Sequence, residues 1–211
     1  MAQAAVSRDS AGSWVGARMQ ESDAALVARS RQGDADAFCE LVLRHQDRIY
    51  NFVLRSIGDP DDAADLTQDI FVRAYAGLGQ FSGRASFQTW LFRIAYNRLA
   101  DYSRRERAKR RQTMSLDSPS DADDAPPVEV ADLRSNPADE VEREELARKV
   151  QEAILQLSHK LRTVIVLYDL EGLSYEEIAA VVGCPLGTVK SRLFHARAEL
   201  RRRLARYLGR F

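Results

Sequence analysis

Residues 112–137 are expected to stay outside any packed core, and this divides the chain. The stretch holds Pro119, Pro126, Pro127 and Pro137, with aspartates at 117, 121, 123, 124 and 132. Proline fixes φ and removes a backbone donor, and an acidic segment poor in apolar residues buries too little surface to offset its conformational entropy. Neither the helical nor the strand period survives here, so an extended or flexible linker is expected. A chain of 211 residues has the length for one large or two small domains, and the linker selects two. Apolar residues recur at helical spacing on both sides of it. The expected fold is therefore all-α, with two small helical domains at 22–111 and 138–211 behind a flexible tail at 1–21. Residues 161–170 are β-branched enough to invite a strand, but their helical flanks and the tight connection at Glu171-Gly172 favour helix.

The first half reads as a helical scaffold followed by a basic helix. Ser22 and Asp23 are placed to cap a helix carrying Leu26 and Val27, which Gly33 ends. Asp34 opens a longer helix through Phe38, Leu41, Val42, Ile49, Phe52 and Val53, and Gly58-Asp59-Pro60 forms a turn. The next helix, 61–78, has apolar positions at Ala64, Leu66, Ile70, Phe71 and Ala74. Its other positions, Asp61, Asp65, Gln68 and Asp69, form an acidic and polar surface. Acids at a helix start complement its positive end. With no histidine partner and no second acidic motif, a protein-binding surface is favoured over catalysis. A short polar loop, Phe81 to Ser86, leads into a long helix, 87–111. Phe87, Trp90, Leu91, Ile94 and Leu99 give it a core face, and its far half is dense in arginine. Arg93, Tyr96, Asn97 and Asp101 occupy another face. Basic and aromatic residues beside a polar loop suit single-stranded nucleic acid.

In the second half, Val141, Leu146, Val150, Ile154 and Leu157 line one helix, and Leu161 to Tyr168 belong to another. Ser174 with Glu177 three residues on is a capping box. Gly183-Cys184-Pro185 breaks that short helix, and a longer one follows with Val189, Leu193, Ala196 and Leu200 on a common face. A short helix, a glycine turn and a basic second helix make a helix-turn-helix, whose second helix enters a major groove while flanking cations hold phosphates. Formal net charge is zero, but the charge is segregated. Residues 98–111 and 190–210 are basic and 117–145 acidic, and local fields govern binding to a polyanion.

Cys39 and Cys184 lack metal-ligand spacing and are expected to be small buried hydrophobes. No run of about 18 apolar residues occurs, so no membrane span and no membrane contact of its own are expected. Without a signal-peptide pattern in the first residues, a cytoplasmic protein is expected. No metal and no cofactor are expected.

Several long motifs, in order, resemble bacterial RNA polymerase sigma factors of the sigma-70 superfamily, extracytoplasmic-function (ECF) subfamily. The pattern DxxDLTQDxFxRAY stands at 62–75 and FxxWLFRIAYNxxxDYxRR at 87–105. GLSYEEIA stands at 172–179 and GTVKSRLFHAR at 187–197. The resemblance implies that the first domain is sigma region 2 and the second sigma region 4, with no third-region domain between them. It implies that Asp61, Asp65, Gln68 and Asp69 dock on the clamp helices of the polymerase largest subunit, with the flap as a further contact on core RNA polymerase. Recognition and melting of minus-10 promoter DNA fall to Phe81, Ser82, Arg84, Arg93, Tyr96, Asn97, Asp101, Arg104 and Arg105. Contact with minus-35 DNA falls to Lys190, Ser191, Arg192, Phe194, His195 and Arg197. His195 departs from the arginine frequent at its position, and an imidazole offers no fork for phosphate. An anti-sigma factor is an implied partner. The competing reading is a stand-alone helix-turn-helix transcriptional regulator. It needs a ligand pocket or a phosphorylatable acidic strand end, neither of which is evident, and it leaves the basic helix at 98–111 without a role. An enzyme is disfavoured, because paired acids with histidine and a Walker-type loop are both missing.

Overall fold

The structure is a computed structural model that describes residues 21–113 and 137–208. Eight α-helices, and no strand, occur among the described residues. In the first half these are α1 (Asp23–Arg31), α2 (Ala35–Ile57), α3 (Pro60–Gly77) and α4 (Phe87–Thr113), with a 3₁₀ turn at Leu78–Gln80. In the second half they are α5 (Pro137–Leu155), α6 (His159–Ile165), α7 (Tyr175–Val182) and α8 (Leu186–Leu208), with a π-helical turn at Val166–Leu170 after α6. The expectations for the tail at 1–20 and for the linker at 114–136 lie outside the described residues.

The helix boundaries follow the local chemistry. Ser22, Asp34 and Asp59 each accept a hydrogen bond from a backbone N–H in the first turn of α1, α2 and α3, satisfying a donor the helix start leaves open. Gly58 ends α2 with φ +84°, and a Cβ there would meet Leu155 Cδ1 at 2.7 Å. The left-handed turn favours glycine there, and a larger residue would also push the Leu155 side chain aside. The stripe Ala37, Leu41, Ile49, Phe52 and Val53 of α2 packs with Ile70 and Ala74 of α3 and Leu91, Phe92 and Ala95 of α4, all buried. In the second half Val164, Val166, Leu167, Ile178, Val189, Leu193 and Ala196 form the corresponding core.

Two sequence expectations are corrected at the surface. Leu146 is 41% exposed, because burial in α5 begins only at its C-terminal half, where Ala153 and Ile154 pack. Cys39 is exposed and Cys184 half-exposed. Cys39 lies off the core stripe of α2, on the side that lines a groove against α3.

The halves also touch, which the sequence does not foretell. Arg162 of α6 donates to the carbonyls of Ile154 at 3.2 Å and Leu157 at 3.0 Å, and also to those of Leu155 and, across the halves, Ser56. Arg48 bonds the Glu171 backbone carbonyl and lies 3.4 Å from its carboxylate. Thr89 donates to Glu177 at 3.2 Å, and Gln151 to the Arg55 carbonyl at 3.4 Å. These polar ties sit beside apolar contact, since the buried apolar residues of the two halves form one continuous cluster and Leu155 packs against Gly58.

Candidate nucleic-acid and protein interfaces

The outward face of α3 is set by what its inner face buries. Ala63, Leu66, Thr67, Ile70, Phe71 and Ala74 face the core, and Asp61, Asp65 and Gln68 are left exposed. Asp69 is different, for it takes a hydrogen bond from Arg98 of α4 and another from Arg73 at 3.1 Å. Burial opposes ionisation of Asp69, but the two arginines prevail and hold its carboxyl below the usual range. Asp62 accepts from the Tyr102 hydroxyl, so a second carboxylate of α3 is fastened to α4. Three of the four residues expected to dock on a protein partner are thus open, and Asp69 is a bridge within the molecule. The sequence reading missed Val72 and Tyr75, 61% and 53% exposed. They border a groove between α2 and α3 lined by Phe38, Val42, Tyr50, Phe71 and Gln68. Their signal was present, since both fall inside the motif at 62–75, but the apolar period had drawn attention to the core positions.

The loop before α4 is held from beneath. Phe81 is buried, with its ring 5.1 Å from Trp90 and 6.2 Å from Phe87. The ring forms a floor for the loop in this structure. Arg31 of α1 donates to the carbonyls of Leu78 at 3.0 Å, Gly79 at 2.9 Å and Phe81 at 2.5 Å. No sequence pattern had marked Arg31. Ser86 caps α4 by accepting from the Thr89 amide at 3.0 Å. Ser82 and Arg84 of the loop are exposed, as are Arg93, Asn97, Arg104 and Arg105. Helical spacing puts Arg93, Asn97, Asp101 and Arg104 on one stripe, with Arg105 and Tyr96 flanking it. Asp101 bonds Arg104, and that contact keeps its carboxyl below the usual range. Tyr96 is half-buried, its ring 5.7 Å from His159 of the other half.

The helix-turn-helix forms as its sequence dictates. Ser174 Oγ accepts from the Glu177 amide at 3.2 Å while Glu177 accepts from the Ser174 amide at 2.9 Å. Gly183 ends α7 at φ +68°, a left-handed cap that favours glycine. Val189, Leu193 and Ala196 of α8 are buried, so Lys190, Ser191, Phe194, His195 and Arg197 face outward. Phe194 is 71% exposed. The other expected residues are less free. Arg192 is half-buried and reaches back to Cys184 Sγ at 3.7 Å, and Ser191 donates to the Thr188 carbonyl at 3.1 Å. Arg197 is engaged by Asp169 at 2.5 Å and 3.2 Å. No group of three metal-ligating side chains occurs among the described residues. No described helix is long and apolar enough to cross a membrane.

Residues 41–109 match the family described as sigma-70 region 2, and residues 147–200 match sigma-70 region 4. The chain is 40% identical over 185 residues to the RNA polymerase sigma-H factor of Pseudomonas aeruginosa, covering 86% of this chain and 93% of that protein. It is likewise 40% identical over 184 residues to the ECF RNA polymerase sigma-E factor of Escherichia coli K12, with the same coverage. Among solved structures it resembles the sigma factor RpoE of Bartonella quintana in complex with the anti-sigma factor NepR. That match has a TM-score of 0.64 and 27% identity, over 80% of this chain and 96% of that one. It also resembles CnrH in complex with the cytosolic domain of CnrY, with a TM-score of 0.62 and 30% identity over 88% of this chain and 98% of that one.

Proposed function

The chain belongs to the ECF RNA polymerase sigma factors, and from that premise we propose how its surfaces divide the work of a promoter-specificity subunit. It binds core RNA polymerase and directs initiation at promoters. We assign docking on core polymerase to Asp61, Asp65 and Gln68, extended by the apolar margin of Val72 and Tyr75. A clamp helix with basic and apolar residues is the complementary surface, and charge steers it while the apolar margin retains it.

Minus-10 DNA is assigned to the loop at 82–86 and the stripe Arg93, Asn97, Arg104 and Arg105. Cations on this stripe hold phosphates, and an exposed amide beside a rigidly floored loop can bond the edge of an unstacked base. Minus-35 DNA is assigned to Lys190, Ser191, Phe194 and His195. Lysine donates to guanine O6 and N7, serine serves either pair, and phenylalanine packs on a thymine methyl. The role is one of specificity, with no chemistry of its own, and it is exercised in the cytoplasm where promoter DNA lies. An anti-sigma factor, as found on the Bartonella relative, is the proposed antagonist.

The observation that carries this reading is Phe194, exposed at 71% on the helix whose opposite face is buried. An apolar ring presented among cations fits a groove that offers both phosphate and thymine methyls. Transcription by core polymerase on a genomic fragment library, with and without the protein, tests it. Initiation at a defined set of promoters only when the protein is added is the expected result. Unchanged initiation would contradict it.

A further inference from the structure

One cluster on the reading side of the second half is not explained by DNA contact. The rings of Tyr168 and Tyr175 stack 4.8 Å apart with an interplanar angle of 9°. Arg197 lies over the Tyr168 ring at 5.1 Å, and Lys190 over the Tyr175 ring at 5.7 Å. Both cations come from α8, seven residues apart, so about 10.5 Å of helix separates them. The two rings fill that interval. Tyr168 comes from the π-helical turn and Tyr175 from the first turn of α7. At the far end of the stack Asp169 grips Arg197 through Nη2 at 2.5 Å and Nε at 3.2 Å. A two-point guanidinium–carboxylate contact fixes orientation as well as distance. The π turn places Tyr168 under Arg197 and Asp169 beside it in consecutive positions, a use consistent with π turns marking functional segments.

We infer that Asp169, Arg197 and the Tyr168–Tyr175 stack position the recognition helix, and that Arg197 acts through this assembly and not by touching DNA. The stack ties α8 to two elements across a two-turn span, fixing its roll, and it holds the Lys190 ammonium on the aromatic side. This deepens the assignment of α8 to minus-35 DNA and rests on it. The inference carries an unusual sign. Asp169 is an exposed carboxylate beside a DNA-reading helix, so on simple electrostatics its removal strengthens binding to a polyanion. On the positioning account its removal weakens binding and loosens base preference.

The test uses the holoenzyme on minus-35 variant libraries at several salt concentrations. Asp169→Asn and Arg197→Gln are each expected to weaken minus-35-dependent binding roughly fivefold, within the range of directly coupled pairs. The double variant should be no worse than Arg197→Gln alone. Salt slopes should stay unchanged, since no phosphate contact is lost. Tyr168→Phe, which keeps the ring, should behave as the parent, and Tyr168→Leu as the pair variants. Tighter binding by Asp169→Asn would overturn the inference. So would a fall of about one unit in the salt slope of Arg197→Gln, the mark of a direct phosphate contact. A holoenzyme that shows no minus-35 preference even with the parent protein would instead strike the assignment of α8. Binding to a pre-melted template lacking a minus-35 element controls for folding, and all variants should match the parent there.

Discussion

The two helices assigned to DNA, α4 and α8, are both basic and both bury an apolar face, but their polar ties run to different places. In α4 the charges nearest the core are tied sideways. Arg98 is fastened to Asp69 and Tyr102 to Asp62, so α3 and α4 form one cross-braced pair. The loop ahead of α4 rests on Phe81 and is drawn in by Arg31. In α8 the buried face is purely apolar at Val189, Leu193 and Ala196, and the polar ties sit at its edges. Bracing suits an element that must stay rigid while DNA strands separate over it. An open reading face suits one that samples base pairs without melting them. Positive charge counted along a sequence does not distinguish these designs. The location of each arginine's carboxylate partner does.

The largest difference should appear in stability. Asp69→Ala leaves Arg98, whose side chain is 13% exposed, without its partner, and its Nη1 is already buried with none. Losing one member of such a pair is expected to cost about 2 kcal/mol, below the full cost of breaking a wholly buried pair because Asp69 is partly solvated. Asp65→Lys, on an exposed position of the same helix, should change stability by less than about 0.5 kcal/mol while still weakening association with core polymerase. Urea unfolding read beside a core pull-down checks both. Equal stability of the two variants would remove the brace from the account.

A smaller effect is expected in α8. Phe194→Ala should leave unfolding unchanged but reduce discrimination at one minus-35 position by about 1 kcal/mol, the lower end of the cost of a mismatched pair. Selection from a randomised minus-35 library reads this, and unaltered preferences would move the reading role elsewhere. Smaller again, Arg201→Ala should weaken all promoters together and lower the salt slope by about one unit. Arg201 is exposed and has no ion-pair partner among the described residues, whereas Arg202 and Arg203 share Glu199. A promoter-specific change on Arg201→Ala would contradict its assignment to phosphate.

The smallest effect concerns the seam between the halves. Burial, aided by Arg162 and Arg107, pushes the His159 imidazole below its ordinary value of 6.5. A base depressed on folding contributes stability that is fully present above the unfolded pKa and is lost as the pH falls below it. The seam should therefore loosen as the pH falls below about 6.5, and His159→Phe should flatten that response. Energy transfer between labels on Cys39 and Cys184, one in each half, would follow it. A seam that tightens on acidification would contradict the sign.

Much of the fold was legible because its signals are local. Capping residues at Ser22, Asp34 and Ser174, breaks at Gly58 and Gly183, and the apolar stripes of α2 and α8 each act within a few residues. The outward arc of α8 followed from its buried arc by geometry alone. What stayed hidden depends on which helices become neighbours. Asp69 and Arg98 are 29 positions apart, and Arg31 and Phe81 are 50 apart. No periodicity connects such pairs. The burial of Phe81 was not legible, because a polar loop with one aromatic looks the same whether the ring points out or forms the floor. The contact between halves joins residues far apart in the chain, such as Arg162 with the Ser56 carbonyl and Leu155 with Gly58, and no local pattern marks such pairs.

The division of labour between α4 and α8 is tested most directly by abortive transcription from holoenzyme on two templates that differ only in a pre-melted minus-10 segment. Asn97→Ala and Phe194→Ala should both reduce opening of the duplex template. Pre-melting should restore Asn97→Ala almost fully if its loss lies in strand opening, and should leave the Phe194→Ala defect in place because the minus-35 contact is still needed. Restoration of both variants, or of neither, would contradict the account.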